Sequence, residues 1–171
     1  WGMDMIRAAE AQKITAGDKR VKVGVIDTGV DASHPDIAPN FDHKLSRNFT
    51  YDIPAIDGPC EVESCVDPAD VDNGGHGTHV AGTIAASKNG IGVSGVAPDV
   101  SIVNVRAGQD SGYFFVGPTV NALTYSADAG LDVVNMRPEV TIDGTTLVLD
   151  GELIIPVGDV LSFEALQARL H

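Results

Sequence analysis

The chain has 171 residues, 43% of them hydrophobic, which is enough for one domain with a sizeable core. Eleven Lys and Arg against 24 Asp and Glu give a formal charge of −13. That balance repels phosphate backbones and anionic lipid, so no nucleic-acid and no membrane partner is expected. No apolar run approaches the ~20 residues of a spanning helix. A charged fraction of 20% with 19 glycines excludes a disordered or coiled-coil class, leaving a soluble α/β domain as the default.

In chain order, Trp1 stands where an initiator Met is absent and no signal peptide precedes it, which reads as a processed or excised product. Asp4 to Gln12 has helical character, and Ala16-Gly17-Asp18 makes a turn. Val21 to Ile26 is apolar and rich in β-branched residues, and it runs into Asp27-Thr28-Gly29, the pattern of a buried strand ending in a polar loop. From about Asn40 to Gly75 there is no periodicity, so a long surface loop is expected. Cys60 and Cys65 lie in it. Their spacing admits a small disulfide ring in an oxidising compartment or two free thiols, and no histidine stands beside them to complete a zinc site.

A helix is predicted from His76 to Ala86, stopped by Asn89-Gly90-Ile91-Gly92. Ser101 to Val105 is a second strand. Pro118 sits in the first turn of another helix that carries Val120, Leu123 and Ala127 on one face and ends at Gly130. Leu131 to Met136 is a third strand. Alternating strands and helices imply right-handed crossovers and a parallel sheet. After Met136 the texture changes. Asp143-Gly144 and Asp150-Gly151 are hairpin-turn dipeptides, Leu153 to Val157 reads as a further strand, and Leu161 to Leu170 as a short terminal helix.

Two residues carry chemistry on this plan. Asp27 closes a buried strand at its carboxyl end, where open α/β sheets place functional groups. His76 opens a helix, whose N-terminus disfavours an imidazolium and so keeps the ring available as a base. An Asp bonded to the other ring nitrogen would fix its tautomer. Glycines on both sides of His76 are read as room for a substrate backbone. A loop cap and a polar helix terminus are the plain readings of each residue alone. Asp27, His76 and His79 as metal ligands is a more remote one.

The strings taken together decide more. Val25-Ile26-Asp27-Thr28-Gly29-Val30-Asp31 with Ser33-His34-Pro35-Asp36, then His76-Gly77-Thr78-His79-Val80-Ala81-Gly82-Thr83, Gly95-Val96-Ala97-Pro98 and Val133-Val134-Asn135-Met136 closely resemble the subtilisin-like serine peptidases, the subtilases, over residues 1–136. The resemblance implies a partial subtilisin-like α/β domain, a parallel sheet with flanking helices; residues 137–171 lie outside it as an unrecognised tail, expected to pack on the same core as a β-hairpin and helix. It implies a secreted serine endopeptidase acting on peptide or protein substrates, with Asp27 as the triad aspartate and His76 as the general base. His79 and His34 lie outside the triad.

It further implies that Asp110, Ser111 and Gly112 pair with an extended substrate; a surface turn is the other reading of these three. A structural Ca2+ is implied as well, held by Asp36, Asn89 and the backbones of Ser87, Ile91 and Val93, an oxygen-only set suited to a hard cation. The family's additional ligand near the N-terminus has no counterpart here. Asn48-Phe49-Thr50 is a glycosylation sequon and is read as incidental.

The third family signature, the nucleophile's Gly-Thr-Ser-Met-Ala, is missing. Arg137-Pro138-Glu139 replaces the family's pocket-lining serine-leucine-glycine stretch, and a proline has no N–H to donate. Leu153 to Asp159 has the outline of the oxyanion segment, with a carboxylate where a donor is needed. Gly144-Thr145-Thr146 imitates the nucleophile motif, but Thr146 sits in a strand pattern. Ser162 reads as a helix cap. A non-catalytic, subtilase-derived binding or structural module is therefore the alternative to the enzyme. A half-domain with an open sheet edge also favours self-association.

Overall fold

The computed structural model describes residues 2–53, 67–136, 139–142, 145–148 and 153–156, the last three stretches by their backbone. Strand β1 (Lys22–Ile26) lies at the centre of a five-stranded sheet. Its side chains alternate. Val23 and Val25 enter one apolar cluster and Ile26 the other, so both faces of the strand are buried.

Strand β2 (Arg47–Asn48) occupies one end of the sheet, and β3 (Ser101–Arg106) lies between it and β1. On the other side of β1 lies β4 (Val133–Met136). All these pairings are parallel: Val25 stands opposite Asn104 and Asn135, and Arg47 opposite Val105.

The N-terminal segment departs from the single helix predicted. It forms two one-turn helices, α1 (Gly2–Met5) and α2 (Ala8–Ala11), because Arg7 takes a left-handed backbone with φ 55°. That conformation breaks the right-handed run. Helix α3 (His76–Ala85) crosses from β1 to β3 and packs Ala81 and Ala85 against Val25 and Ile102. Helix α4 (Val116–Asp128) crosses from β3 to β4 and packs Ala122 against the other face, with Ile26, Val103 and Leu131.

The buried face of α4 is Thr119, Ala122 and Ser126, not the Val120 face predicted; Val120 is exposed. Small residues win there because they let the helix approach the sheet closely. Ser126 and Thr119 remain satisfied by bonding the carbonyls of Ala122 and Phe115 one turn back.

The predicted long loop holds more structure than expected: a 3-10 turn (Ala38–Asn40) leads into it and β2 lies within it. Asn40 is buried and donates to the carbonyls of Ala85 (2.6 Å) and Pro98 (2.7 Å), which ties the loop to the end of α3. Cys60 and Cys65 lie outside the described residues.

In the tail, β5 (Glu139–Ile142) and β6 (Thr145–Val148) pair antiparallel on either side of residues 143–144, the hairpin that Asp143-Gly144 predicts. Asp150-Gly151 lies outside the described residues. Strand β7 (Leu153–Pro156) joins the main sheet antiparallel to β4, with Leu153 opposite Met136 and Pro156 opposite Val133. The strands on either side of that dipeptide, β6 and β7, thus pair with β5 and β4. Pairing with a central strand uses hydrogen-bonding groups that the edge of β4 would otherwise leave open. The expected terminal helix, with Asp159 and Ser162, lies outside the described residues, as do Arg137 and Pro138. Among the described residues no helix is long and apolar enough to cross a membrane.

Candidate active site

The carboxyl end of β1 is fixed by its neighbour. The N–H groups of Ala107 and Gly108, just past β3, both donate to the Asp27 carbonyl. The Asp27 side chain is therefore held in the core, 1% exposed, between the end of β1 and the start of α3. One of its oxygens accepts the Thr28 N–H at 2.7 Å.

Facing it is His76, the first residue of α3. Its Nδ1 lies 2.8 Å from Asp27 Oδ1 and 3.0 Å from Oδ2. Since a carboxylate only accepts, Nδ1 carries the proton, and in the neutral ring Nε2 keeps its lone pair. The His76 side chain is 45% exposed, so a buried anion orients a ring that solvent or a ligand can reach. A ring held this way, with its tautomer set from behind, can accept a proton at Nε2.

Helix α3 begins on Gly75, at φ 74°, which has no side chain to cap it. Asp72 supplies the cap from upstream. Its carboxylate accepts from the N–H groups of Gly75 and Thr78, both at 2.9 Å. The next glycine, Gly77, faces inward. A Cβ there would stand 2.0 Å from the Gly29 carbonyl oxygen and 2.9 Å from Asp27 Cβ. The expectation that this glycine makes room for a substrate backbone is thus corrected: the chain's own turn after β1 fills the space.

Asp110, Ser111 and Gly112 form a turn rather than an extended run. Gly108 and Phe114 bridge antiparallel, Gln109 N–H bonds the Tyr113 carbonyl, and Gly112 N–H bonds the Gln109 carbonyl. Arg106 anchors this turn from β3. It is 2% exposed and pairs with Asp67 at 2.5 Å and with Asp110 at 2.6 Å. Asn73 reaches Asp110 from the loop that leads to His76, at 3.3 Å. The turn therefore borders the Asp27–His76 pair.

The Asp36 loop lies elsewhere. The Val93 N–H and the Asn89 side-chain amide bond the buried Asp36 carboxylate, and together they hold its pKa below the ordinary value. His79 and His34 face another part of α3. With Met3, Asp36, Thr83 and Ser94 they line a groove of about 660 Å³ along α3. Among the described residues no group of three or more His, Cys, Asp or Glu is placed to hold a metal, which removes the Asp27–His76–His79 metal reading. Thr146 lies in β6, opposite Thr141, not at a helix start.

Residues 18–136 match the family model described as the Subtilase family. The chain belongs to the subtilase family. It is 35% identical over 136 residues to Subtilisin DY of Bacillus licheniformis, covering 80% of this chain and 43% of that protein. It is 37% identical over 136 residues to the Major intracellular serine protease of Bacillus subtilis (strain 168), covering 79% and 39%.

Among solved structures, a lanthipeptide protease aligns with a TM-score of 0.54 at 25% identity, over 73% of this chain and 30% of that one. This subtilase chain therefore spans less than half the length of these relatives. One of them is named intracellular, so membership assigns no compartment. Asp72, Thr28 and Arg106 were not singled out in the sequence. An acid three residues before the Gly-His that opens a helix was the available signal for Asp72.

Proposed function

We propose that this chain contributes the aspartate and the general base of a subtilisin-like serine endopeptidase. The observation that carries the reading is the 2.8 Å bond from the His76 ring to a buried Asp27, with the ring's other nitrogen exposed. In this mechanism a serine hydroxyl from outside residues 18–136 attacks the peptide carbonyl as His76 Nε2 takes its proton. Asp27 stabilises the imidazolium that forms. The imidazolium then gives its proton to the leaving amine, and water repeats the cycle to release the acyl group. The turn at 110–112, bordering the pair, is the surface along which a peptide would lie.

A serine-directed fluorophosphonate and a fluorogenic peptide test the reading together. Labelling and turnover are expected from the protease. Asp27→Asn is expected to lower kcat by about 10⁴-fold, because the imidazole loses the partner that sets its tautomer. Turnover without labelling, or full activity in Asp27→Asn, would overturn it. Neither labelling nor turnover would leave the binding-module alternative.

The donor types of the Asp36 loop fit the Ca2+ that the family resemblance implies. Its donors are all oxygens with one carboxylate: Asp36, Asn89 Oδ1 and the carbonyls of Ser87, Ile91 and Val93. Gly92 lets the backbone wrap the carboxylate, since a Cβ there would lie 2.0 Å from Asp36 Oδ2. In this structure the Asn89 amide nitrogen faces Asp36, and its oxygen accepts the Ile91 N–H, so a cation would require that amide to turn over. Bound there, the ion would tie two loops together. Calcium at a hundredfold excess over Kd should raise Tm by roughly 5–10 °C relative to chelator. No shift, or an equal shift in Asp36→Asn, would remove the site.

A further inference from the structure

We propose that Asp72 is a positioning residue for the His76–Asp27 pair, clamping the two elements that carry it; the inference rests on the reading of that pair as an acid–base unit. The Asp72 carboxylate accepts four hydrogen bonds, two at each oxygen. Oδ1 takes the Thr28 hydroxyl at 3.0 Å and the Gly75 N–H at 2.9 Å. Oδ2 takes the Thr78 N–H at 2.9 Å and the Thr78 hydroxyl at 2.5 Å.

These donors come from two places. Gly75 and Thr78 flank His76 in the first turn of α3. Thr28 follows Asp27 at the end of β1, and its own N–H bonds the Asp27 carboxylate. Two further links close the frame: the Thr28 hydroxyl accepts the Gly77 N–H at 3.2 Å, and the Thr78 hydroxyl accepts the Asp31 N–H at 2.9 Å. One carboxylate thus sets the separation between the residue before Thr28 and the residue after Gly75, which are the two members of the pair.

A cap alone would explain the Gly75 and Thr78 bonds. It does not explain the hydroxyl from the other element. Four donors on two oxygens also require the carboxylate. An amide at this position has one acceptor oxygen, and its NH2 would face either the Thr78 N–H or the Gly75 N–H. The negative charge beside the first turn of α3 further opposes the positive end of the helix, which otherwise disfavours the imidazolium that His76 must become.

The test is spectroscopic and needs no turnover. In proton NMR of the full chain, the His76 Nδ1–H bonded to Asp27 should give a downfield resonance that disappears in Asp27→Asn. In Asp72→Asn that proton should exchange with solvent roughly tenfold faster or more, while far-UV circular dichroism shows α3 retained. Thr28→Val keeps both helix-capping bonds and removes the two links made by the Thr28 hydroxyl, to Asp72 and from the Gly77 N–H, so it should speed exchange by about threefold or more.

A downfield proton unchanged in Thr28→Val would show that Asp72 is only a helix cap and would overturn the proposal. That comparison holds even where Asp72→Asn fails to fold. A native spectrum with no resonance sensitive to Asp27→Asn would instead overturn the acid–base pair itself, and the positioning role with it.

Discussion

His76 is flanked by two glycines that do different work. Gly75 has open space around it, but its backbone is left-handed at φ 74°, a conformation that disfavours any other residue. Gly77 is the reverse: its neighbours leave no room for a methyl group, and the obstacles are the Gly29 carbonyl and Asp27 itself. Gly77→Ala is expected to cost about 1–3 kcal/mol in urea unfolding, because neither obstacle is the far end of a flexible side chain. It should also separate His76 from Asp27, so that the downfield ring proton weakens at native conditions. Gly75 and Gly77 look alike in sequence. Spacing alone cannot say which backbone will cross a glycine, and so both read as room for substrate.

At the scale of elements, β3 and α3 are both tied to the site through side chains that the hydrophobic pattern does not mark. Arg106 ends β3 on its buried side and holds Asp67 and Asp110 with a bond to the Gly108 carbonyl besides. Removing its guanidinium strands the Asp67 carboxylate in a nearly solvent-free position. Arg106→Met is expected to destabilise the chain by about 3–5 kcal/mol, measured by urea unfolding. Asp67→Asn in the same background should recover part of that loss, because the uncompensated charge is what costs most. A long apolar strand was legible at 101–105, since β-branched residues bounded by Pro98 allow little else. The charged residue that follows it was not, because an arginine beyond a strand is ordinarily solvated and only its partners from residues 67 and 110 show that it is buried.

For the whole molecule, the outcome turns on β7. Three central strands sandwiched by α3 and α4 contribute to both apolar clusters, yet β4 would be an exposed edge without the tail. Deleting residues 137–171 is expected to produce concentration-dependent association by light scattering, with the full chain remaining smaller under the same conditions. Equal behaviour of both would show that the tail does not protect the sheet. The sense of β7 also bears on the oxyanion segment expected at 153–159. Running antiparallel, β7 ends at Pro156 beside Val133, at the opposite end of the sheet from Asp27. A parallel strand would have delivered the following residues to the site.

The sequence alone determined the family, the parallel core strands, the helix opening at His76 and the choice of Asp27 and His76. Each follows from short-range facts: β-branched runs for strands buried on both faces, a glycine-flanked start for the helix, and motif strings whose order is read directly. Only the tertiary structure decided that the two side chains meet, that Asp72 joins their supports, that Gly77 packs on Gly29, and that β7 runs antiparallel. Those outcomes depend on contacts between residues many positions apart, 49 in the case of Asp27 and His76. Such contacts form only once the crossovers have folded the chain back on itself.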